Sequence, residues 1–96
     1  MVNRITQRDL EYLVDRINEK TGSPMEAWRK TDDGIVANIG NYHLDYAYSG
    51  VKLVRMVSDG GGISIVSTGG YGTKRELYTW MSAFLSGIAL DKTRKV

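Results

Sequence analysis

Four closely spaced turn signals divide residues 25–67 into short β-prone runs, and this spacing limits the fold more than any other feature of the chain. The signals lie at positions 32–34, 40–41, 49–50 and 59–62, where glycine stands beside aspartate, asparagine or serine. Connections this short cannot hold a crossover helix, so neighbouring strands must be antiparallel. The sequence therefore predicts an antiparallel meander of four to five strands.

Amphipathic helices are predicted on both sides of this meander. The N-terminal helix runs from about Gln7 to Lys20, because apolar residues recur there at the i, i+3, i+4 and i+7 spacing of one buried face. The C-terminal helix runs from about Lys74 to Ser86, after Thr73 as its cap, and Gly87 is expected to end it. Two helices that pack on one face of an antiparallel sheet make a two-layer sandwich of the α+β class, which is the predicted fold.

The length and composition of the chain exclude several classes of protein. Its 96 residues allow a single α+β domain, assigned to positions 1–90, followed by a basic flexible tail over positions 91–96. Without cysteine and with one histidine, neither a thiolate nor a histidine-rich metal site is expected, and no cofactor is predicted. No apolar run reaches the roughly 18–20 residues of a membrane span. We therefore expect no contact with a membrane, and the lack of cysteine is compatible with a reducing cytoplasm.

A glycine-rich segment that leads into the C-terminal helix is the first candidate site, for a small ligand. It comprises Gly70, Tyr71, Gly72, Thr73, Lys74 and Arg75. The first turn of a helix exposes unpaired N–H groups, and two cations beside them would attract a phosphate or a carboxylate. The segment matches neither a Walker loop nor a dinucleotide fingerprint. The alternative is a flexible turn followed by a solvated basic helix start, where Glu76 offsets part of the charge.

Aromatic and charged side chains in the middle of the chain form the second candidate site, a surface for a partner macromolecule. Its members are Trp28, Tyr42, His43, Asp45, Lys52 and Arg55. Aromatic side chains interleaved with cations can anchor a protein or stack on bases. The alternative is that the tyrosines only cover the apolar faces of the helices. Because a single helical layer leaves one sheet face uncovered, we also expect a homodimer or a higher homo-oligomer.

Catalytic arrangements receive little support from the residue pattern. His43 and Asp45 share one strand face, and Ser64 or Ser67 would be needed to complete a hydrolytic triad. No nucleophile elbow is present, and no oxyanion site can be specified. The sequence therefore predicts a protein that is not an enzyme.

Two stretches of the chain resemble small uncharacterised phage-encoded accessory proteins. They are positions 41–56, NYHLDYAYSGVKLVRM, and positions 72–78, GTKRELY. The resemblance implies a viral accessory protein in the cytoplasm of an infected bacterium, which blocks a host factor or sequesters a host signal by binding. It transfers no functional residue. A second likeness, to double-stranded-RNA-binding domains, lies in the order helix, antiparallel sheet, helix and in the basic start at Lys74 and Arg75.

The leading functional hypothesis is a non-catalytic binding protein, a phage counter-defence factor that blocks a host protein or sequesters a small anionic, nucleotide-like ligand. The alternative is a nucleic-acid-binding module. This alternative depends on the second half of the chain, where residues 41–96 carry seven basic and four acidic side chains. Binding through such a surplus predicts an affinity that falls steeply with salt.

Overall fold

The structure is a computed structural model that describes residues 4–67 and 71–93. Its elements, in chain order, are α1 (Gln7–Thr21), β1 (Trp28–Thr31), β2 (Gly34–Ala37), β3 (Tyr42–Ala47), β4 (Gly50–Met56), β5 (Ile63–Ile65) and α2 (Lys74–Thr93). The strand pairings β1–β2, β3–β4 and β4–β5 are all antiparallel. These observations confirm the predicted α+β class, with a helix at each end of the strands.

Helix α1 ends within one residue of the predicted position. At its start, the Asp9 N–H donates to Thr6 Oγ1 at 3.2 Å, and the Thr6 N–H donates to Asp9 Oδ2 at 2.9 Å, which makes a capping box. At its end, Gly22 takes a left-handed conformation with φ 71° and donates its N–H to the Glu19 carbonyl at 3.3 Å. The buried apolar stripe consists of Leu10, Leu13, Val14 and Ile17.

Helix α2 is longer than predicted, because it continues through Gly87 to Thr93. The prediction that Gly87 ends the helix was therefore wrong. A glycine inside a helix costs only about 1 kcal/mol relative to alanine, which is too little to stop a helix whose apolar face continues. Leu85 and Ile88, on either side of the glycine, are both partly buried. The backbone of positions 91–93, assigned to the flexible tail, is helical, and positions 94–96 lie outside the described residues.

We expect Gly87→Ala to raise the free energy of unfolding by about 0.5–1 kcal/mol, because alanine favours the helix and restricts the unfolded chain. A Cβ at position 87 would meet no atom within 4 Å. Gly22→Ala is the matched control, since its Cβ also has open space but its φ of 71° penalises alanine. Urea denaturation checks this pair. A Gly87→Ala protein no more stable than the wild type would contradict the prediction.

The five strands form two sheets, whereas the sequence predicted one meander. β1 and β2 make a separate hairpin, and the larger sheet has the order β3-β4-β5. Between them, Gly40 has φ 98° and donates its N–H to the Met56 carbonyl at 2.8 Å. The Met56 N–H donates to the Asn41 carbonyl, also at 2.8 Å. These bonds hold the 40–41 turn against the end of β4, so the ladder of the hairpin does not continue into β3.

Both helices cover one face of the larger sheet. α1 packs against β3, α2 packs against β4, and the two helices pack against each other. The core between these layers consists of Leu10, Leu13, Val14, Ile17, Tyr42, Val51, Leu53, Leu77 and Met81. On the other face of the sheet, Val54 and Met56 are also fully buried, while Ile63 and Ile65 of β5 are exposed. Self-association through this second face stays a prediction.

A buried asparagine joins α1 to β3. Asn18 is 1% exposed; its Nδ2 donates to the Tyr42 carbonyl at 3.0 Å, and its Oδ1 accepts the Tyr42 N–H at 2.8 Å. The side-chain amide thus pairs with the backbone of Tyr42 as a neighbouring strand would. This pair of bonds fixes α1 beside β3.

Candidate binding surface

Four side chains meet beside the turn between β3 and β4, and they are called the turn cluster below: Asp45, Tyr48, Lys52 and Tyr71. The Tyr71 hydroxyl donates to Asp45 Oδ2 at 2.8 Å. Lys52 Nζ lies 3.9 Å from the same oxygen and 4.2 Å from the centre of the Tyr71 ring. The hydrogen bond to the Asp45 carboxylate raises the pKa of Tyr71 above its usual value. The cluster therefore compensates its own charges and presents mainly aromatic surface.

Tyr48 lies at the tip of the turn cluster in an unfavourable backbone conformation. Tyr48 and Ser49 have φ values of 53° and 60°, as in a type I′ turn, where asparagine and glycine are the usual residues. The Tyr48 side chain is 91% exposed, and its ring packs edge-on against Tyr71 with centroids 5.5 Å apart. A left-handed conformation of a non-glycine residue costs of order 1–3 kcal/mol. The fold therefore loses stability while it holds a large aromatic side chain in solvent.

The sequence predicted this turn at Ser49-Gly50 and placed Tyr48 inside a strand. The structure moves the turn by one residue, because Ala47 pairs with Gly50. Gly50 is required for a reason other than the turn. A Cβ at this position would lie only 2.9 Å from Tyr71 Cβ, so a larger residue would clash with the 71–72 segment. Gly50 thus permits a close crossing of two chain segments, which no local pattern indicates.

The other residues predicted to bind a partner lie apart from the turn cluster. The Tyr42 ring is buried in the core, 6.2 Å from the Phe84 ring, and the Arg55 guanidinium lies 5.4 Å from the centre of the Tyr42 ring. Trp28 is about half exposed on β1 and lies against Gly61. The position of Tyr42 therefore agrees with the alternative interpretation, in which its ring packs against the apolar faces of the helices. Asp45 and Lys52 are the two members of the predicted set that the structure brings into the turn cluster.

Neither of the two serines considered for a triad is paired with His43. Partial burial lowers the pKa of the His43 imidazole, although nearby Asp45 acts in the opposite direction. The sheet register places Ser64 on the other face from His43. The Ser67 hydroxyl is buried and accepts a backbone N–H of β4 at 3.1 Å. The residues considered for a hydrolytic triad are therefore not assembled into one.

The N–H groups at the start of α2 are partly taken by an acidic side chain of the chain itself. The Thr73 N–H donates to Glu76 Oε1 at 2.8 Å, and the Glu76 N–H donates to Thr73 Oγ1 at 3.1 Å. The hydrogen bonds from Thr73 hold the pKa of Glu76 below its usual value. An external anion at this helix start would therefore compete with a carboxylate that is already bound.

The remaining residues of the predicted ligand site are spread over three environments. The backbone of Gly72 is paired with β4, and Tyr71 belongs to the turn cluster. Lys74 and Arg75 are exposed on the first turn of α2. Gly70 lies outside the described residues. Anion binding at this segment stays a prediction.

Within the described ranges, no group of three histidine, cysteine, aspartate or glutamate side chains can hold a metal ion. None of the helices there has the length and apolar character to cross a membrane. No family model, curated protein or solved structure matches this chain. The functional assignment therefore depends on the chain's own geometry, above all on the turn cluster.

Proposed function

We propose that this protein is a non-catalytic binding protein that contacts a partner protein through the turn cluster. The observation that carries the proposal is Tyr48, a 91% exposed aromatic side chain with a φ of 53°. Tyrosine supplies apolar area and a hydroxyl at low entropic cost, and it is enriched among residues that dominate binding energies. Strained residues cluster at functional sites, where the strain is part of the mechanism.

The charge arrangement favours a protein partner over a small anion or a nucleic acid. Lys52 interacts with Asp45 and with the Tyr71 ring, so its charge is already compensated. The Glu76 carboxylate accepts the N–H of Thr73 at the start of α2. Nucleic-acid binding depends on cations that neutralise phosphates. Retardation of DNA or RNA in gels, with an affinity that falls steeply with salt, would favour the nucleic-acid alternative instead.

The biological setting that we propose follows from the resemblance to phage accessory proteins. In this setting the protein acts in the cytoplasm of an infected bacterium, where it blocks a host protein as a counter-defence factor. Assembly into a homodimer or a higher homo-oligomer is part of the same proposal. Light scattering of the purified protein measures that assembly directly.

The proposed function is tested with a photo-crosslinking amino acid at position 48 in bacterial cells. We expect a discrete cross-linked product with one partner protein, which mass spectrometry identifies. The same amino acid at position 35 is the control, because Ile35 is also an exposed side chain, at 64%, but lies on β2. The same products in equal yield at both positions would contradict the proposal.

We expect Tyr48→Asn to stabilise the fold and to weaken partner binding. Asparagine tolerates the left-handed conformation, so the free energy of unfolding should rise by about 0.5–1 kcal/mol. Loss of the exposed ring should weaken affinity for the cross-linked partner by at least about tenfold. Calorimetric titration of that partner with the wild type, Tyr48→Asn and the control Ile35→Ala measures the effect. A Tyr48→Asn protein that binds as tightly as the wild type would remove Tyr48 from the interface.

A further inference from the structure

One edge of the larger sheet is open. β3 pairs with β4 on one side, and no described strand lies on its other side. The Asn41 carbonyl accepts an N–H from β4 at 2.8 Å, so by the alternation of an antiparallel ladder the even-numbered residues of β3 face away from β4. The N–H and C=O groups of Tyr42, Leu44 and Tyr46 therefore point to the open edge.

This edge is occupied at one of the three positions. Asn18 takes both backbone groups of Tyr42. Among residues 4–67 and 71–93, no group donates to or accepts from the outward backbone groups of Leu44 and Tyr46. The N–H and C=O groups of these two residues are thus available to another strand.

Two clefts meet at Tyr46: the first runs along β3 beside α1, and the second lies across the end of the β3–β4 hairpin. The first, of about 440 Å³, contains Tyr46, Glu11 and Asp15. The second, of about 400 Å³, shares Gln7 and Tyr46 with the first and contains Lys74. Burial and the Glu11 carboxylate both raise the pKa of Tyr46, as expected where the carboxylate lies near the ring. The cleft along β3 therefore carries acidic side chains, and the adjoining cleft at the end of the hairpin carries a basic one.

We propose that the open edge of β3 binds an extended peptide segment of the partner protein as an additional strand. Backbone hydrogen bonds to Leu44 and Tyr46 hold the segment, as in other cases of strand addition. A cationic side chain of the segment lies beside Glu11 and Asp15, where the charges are complementary. The inference rests on the proposed function and adds the site and the chemistry of the partner to it.

A second copy of the chain fits this edge poorly. Because Tyr42 is already paired with Asn18, two β3 strands related by a two-fold axis would pair through Leu44 and Tyr46. That register puts the two Asp45 side chains directly opposite each other, and like charges at such a position destabilise a sheet. Lys52 and the Tyr71 hydroxyl offset part of this charge, and the remaining repulsion favours a segment of different sequence over a second copy at this edge.

The test uses one defined peptide and two variants at position 46. The probe is a blocked peptide of alternating valine and threonine, with one lysine near one end and one glutamate near the other. Tyr46→Pro removes the N–H that points to the edge and keeps the bonds to β4, because proline is tolerated where the N–H of an edge strand faces outward. Tyr46→Thr is the matched control, since it removes the ring and keeps the N–H.

We expect the peptide to bind the wild type and Tyr46→Thr, and to slow hydrogen exchange of the amides at positions 44 and 46. Tyr46→Pro should bind the peptide at least about tenfold more weakly. Asp15→Lys should also weaken binding, and a peptide with glutamate in place of its lysine should restore it. Asp33→Lys, which makes the same charge change in the β1–β2 turn, should have no effect.

Absence of peptide binding to the wild type, or equal affinity of Tyr46→Pro and Tyr46→Thr, would overturn the inference. Concentration-dependent protection of positions 44 and 46 without peptide, together with a dimer in light scattering, would assign the edge to a second copy and overturn it as well. If circular dichroism shows that Tyr46→Pro is unfolded, the inference is decided by Asp15→Lys. It is overturned if this variant binds the lysine peptide as tightly as the wild type does, or if the glutamate peptide does not restore binding.

The proposed function and this inference fail in different ways. A cross-linked partner whose binding is weakened by Tyr48→Asn but not by Tyr46→Pro would retain the proposed function and reject strand addition. A partner whose binding neither variant weakens would reject both. A partner whose binding both variants weaken supports the two proposals together.

Discussion

Replacing Asn18 by alanine is expected to lower the free energy of unfolding by about 2–4 kcal/mol. The amide of Asn18, at 1% exposure, pairs with the Tyr42 N–H at 2.8 Å and with the Tyr42 carbonyl at 3.0 Å. Alanine leaves both buried backbone groups without a partner, and each unpaired group costs about 1–3 kcal/mol. A domain of this kind is stable by about 5–15 kcal/mol, so the loss is a large share of the total.

Asn38→Ala is the matched control for this prediction. The Asn38 amide also bonds a backbone carbonyl, that of Glu26 at 2.9 Å, but at an exposed position beside the β1–β2 hairpin. Water can replace that bond, so we expect a loss below about 1.5 kcal/mol. Urea denaturation measures both variants. Equal losses at the two positions would show that burial of the Tyr42 backbone is not what makes Asn18 important.

Asn18→Asp should make the stability of the folded protein depend on pH through the same site. Aspartate keeps an acceptor for the Tyr42 N–H but puts a second oxygen against the Tyr42 carbonyl, so burial should raise the pKa of the new carboxyl in the folded protein. The stability that depends on a raised carboxyl pKa is present at low pH and is lost as the pH rises through that pKa. Relative to the wild type, the variant should therefore be more stable near pH 4 than near pH 7. A pH-independent difference would contradict the assigned hydrogen bonds.

Gly50→Ala is expected to lower the free energy of unfolding by about 1–3 kcal/mol and to open the turn cluster. A Cβ at position 50 would lie 2.9 Å from Tyr71 Cβ and 3.0 Å from the Gly72 carbonyl oxygen. Because the contacts include backbone atoms, the 71–72 segment must move away from β4. The movement weakens the two 3.0 Å bonds between Val51 and Gly72, and it separates Tyr71 from Asp45.

The ionisation of Tyr71 reports this movement. In the wild type, its hydrogen bond to Asp45 raises the pKa of the phenol, so Gly50→Ala should bring that pKa back toward its usual value. An NMR titration of the tyrosine rings, assigned with Tyr71→Phe, measures it. Gly60→Ala is the matched control, because a Cβ there would meet no atom within 4 Å. Unchanged stability and an unchanged Tyr71 titration in Gly50→Ala would contradict the close crossing.

Short-range sequence patterns were sufficient to predict the two helices and the antiparallel direction of the strands. The capping box of Thr6 and Asp9 and the left-handed Gly22 act within a few residues of the helix that they delimit, so the sequence alone predicted α1 nearly to its observed ends. Short turns likewise predicted antiparallel pairing, since they allow no other connection. The same signals failed at Gly87, where packing of the surrounding apolar face outweighs the helix penalty of glycine.

The candidate site was predicted only in part. Asp45 and Lys52 were identified by strand alternation and charge, and the structure places them opposite each other. Tyr48 was assigned to a strand and Tyr71 to the ligand site, because Gly50 was interpreted as a turn residue, whereas it permits the crossing of a distant segment. The signal for the bond to β3 was Asn18 itself, a polar residue at the end of the apolar stripe of α1, and alone it does not name a partner.

Local chemistry along the chain was enough to specify two capped helices and a set of antiparallel hairpins, because caps, turns and apolar periodicity act between near neighbours. Packing between distant segments decided the division into two sheets, the one-residue shift of the β3–β4 turn and the open edge beside α1. Those features depend on which backbone groups find partners across elements, as Tyr42 does with Asn18. Such pairings are set by three-dimensional distances, which neighbouring residues do not encode.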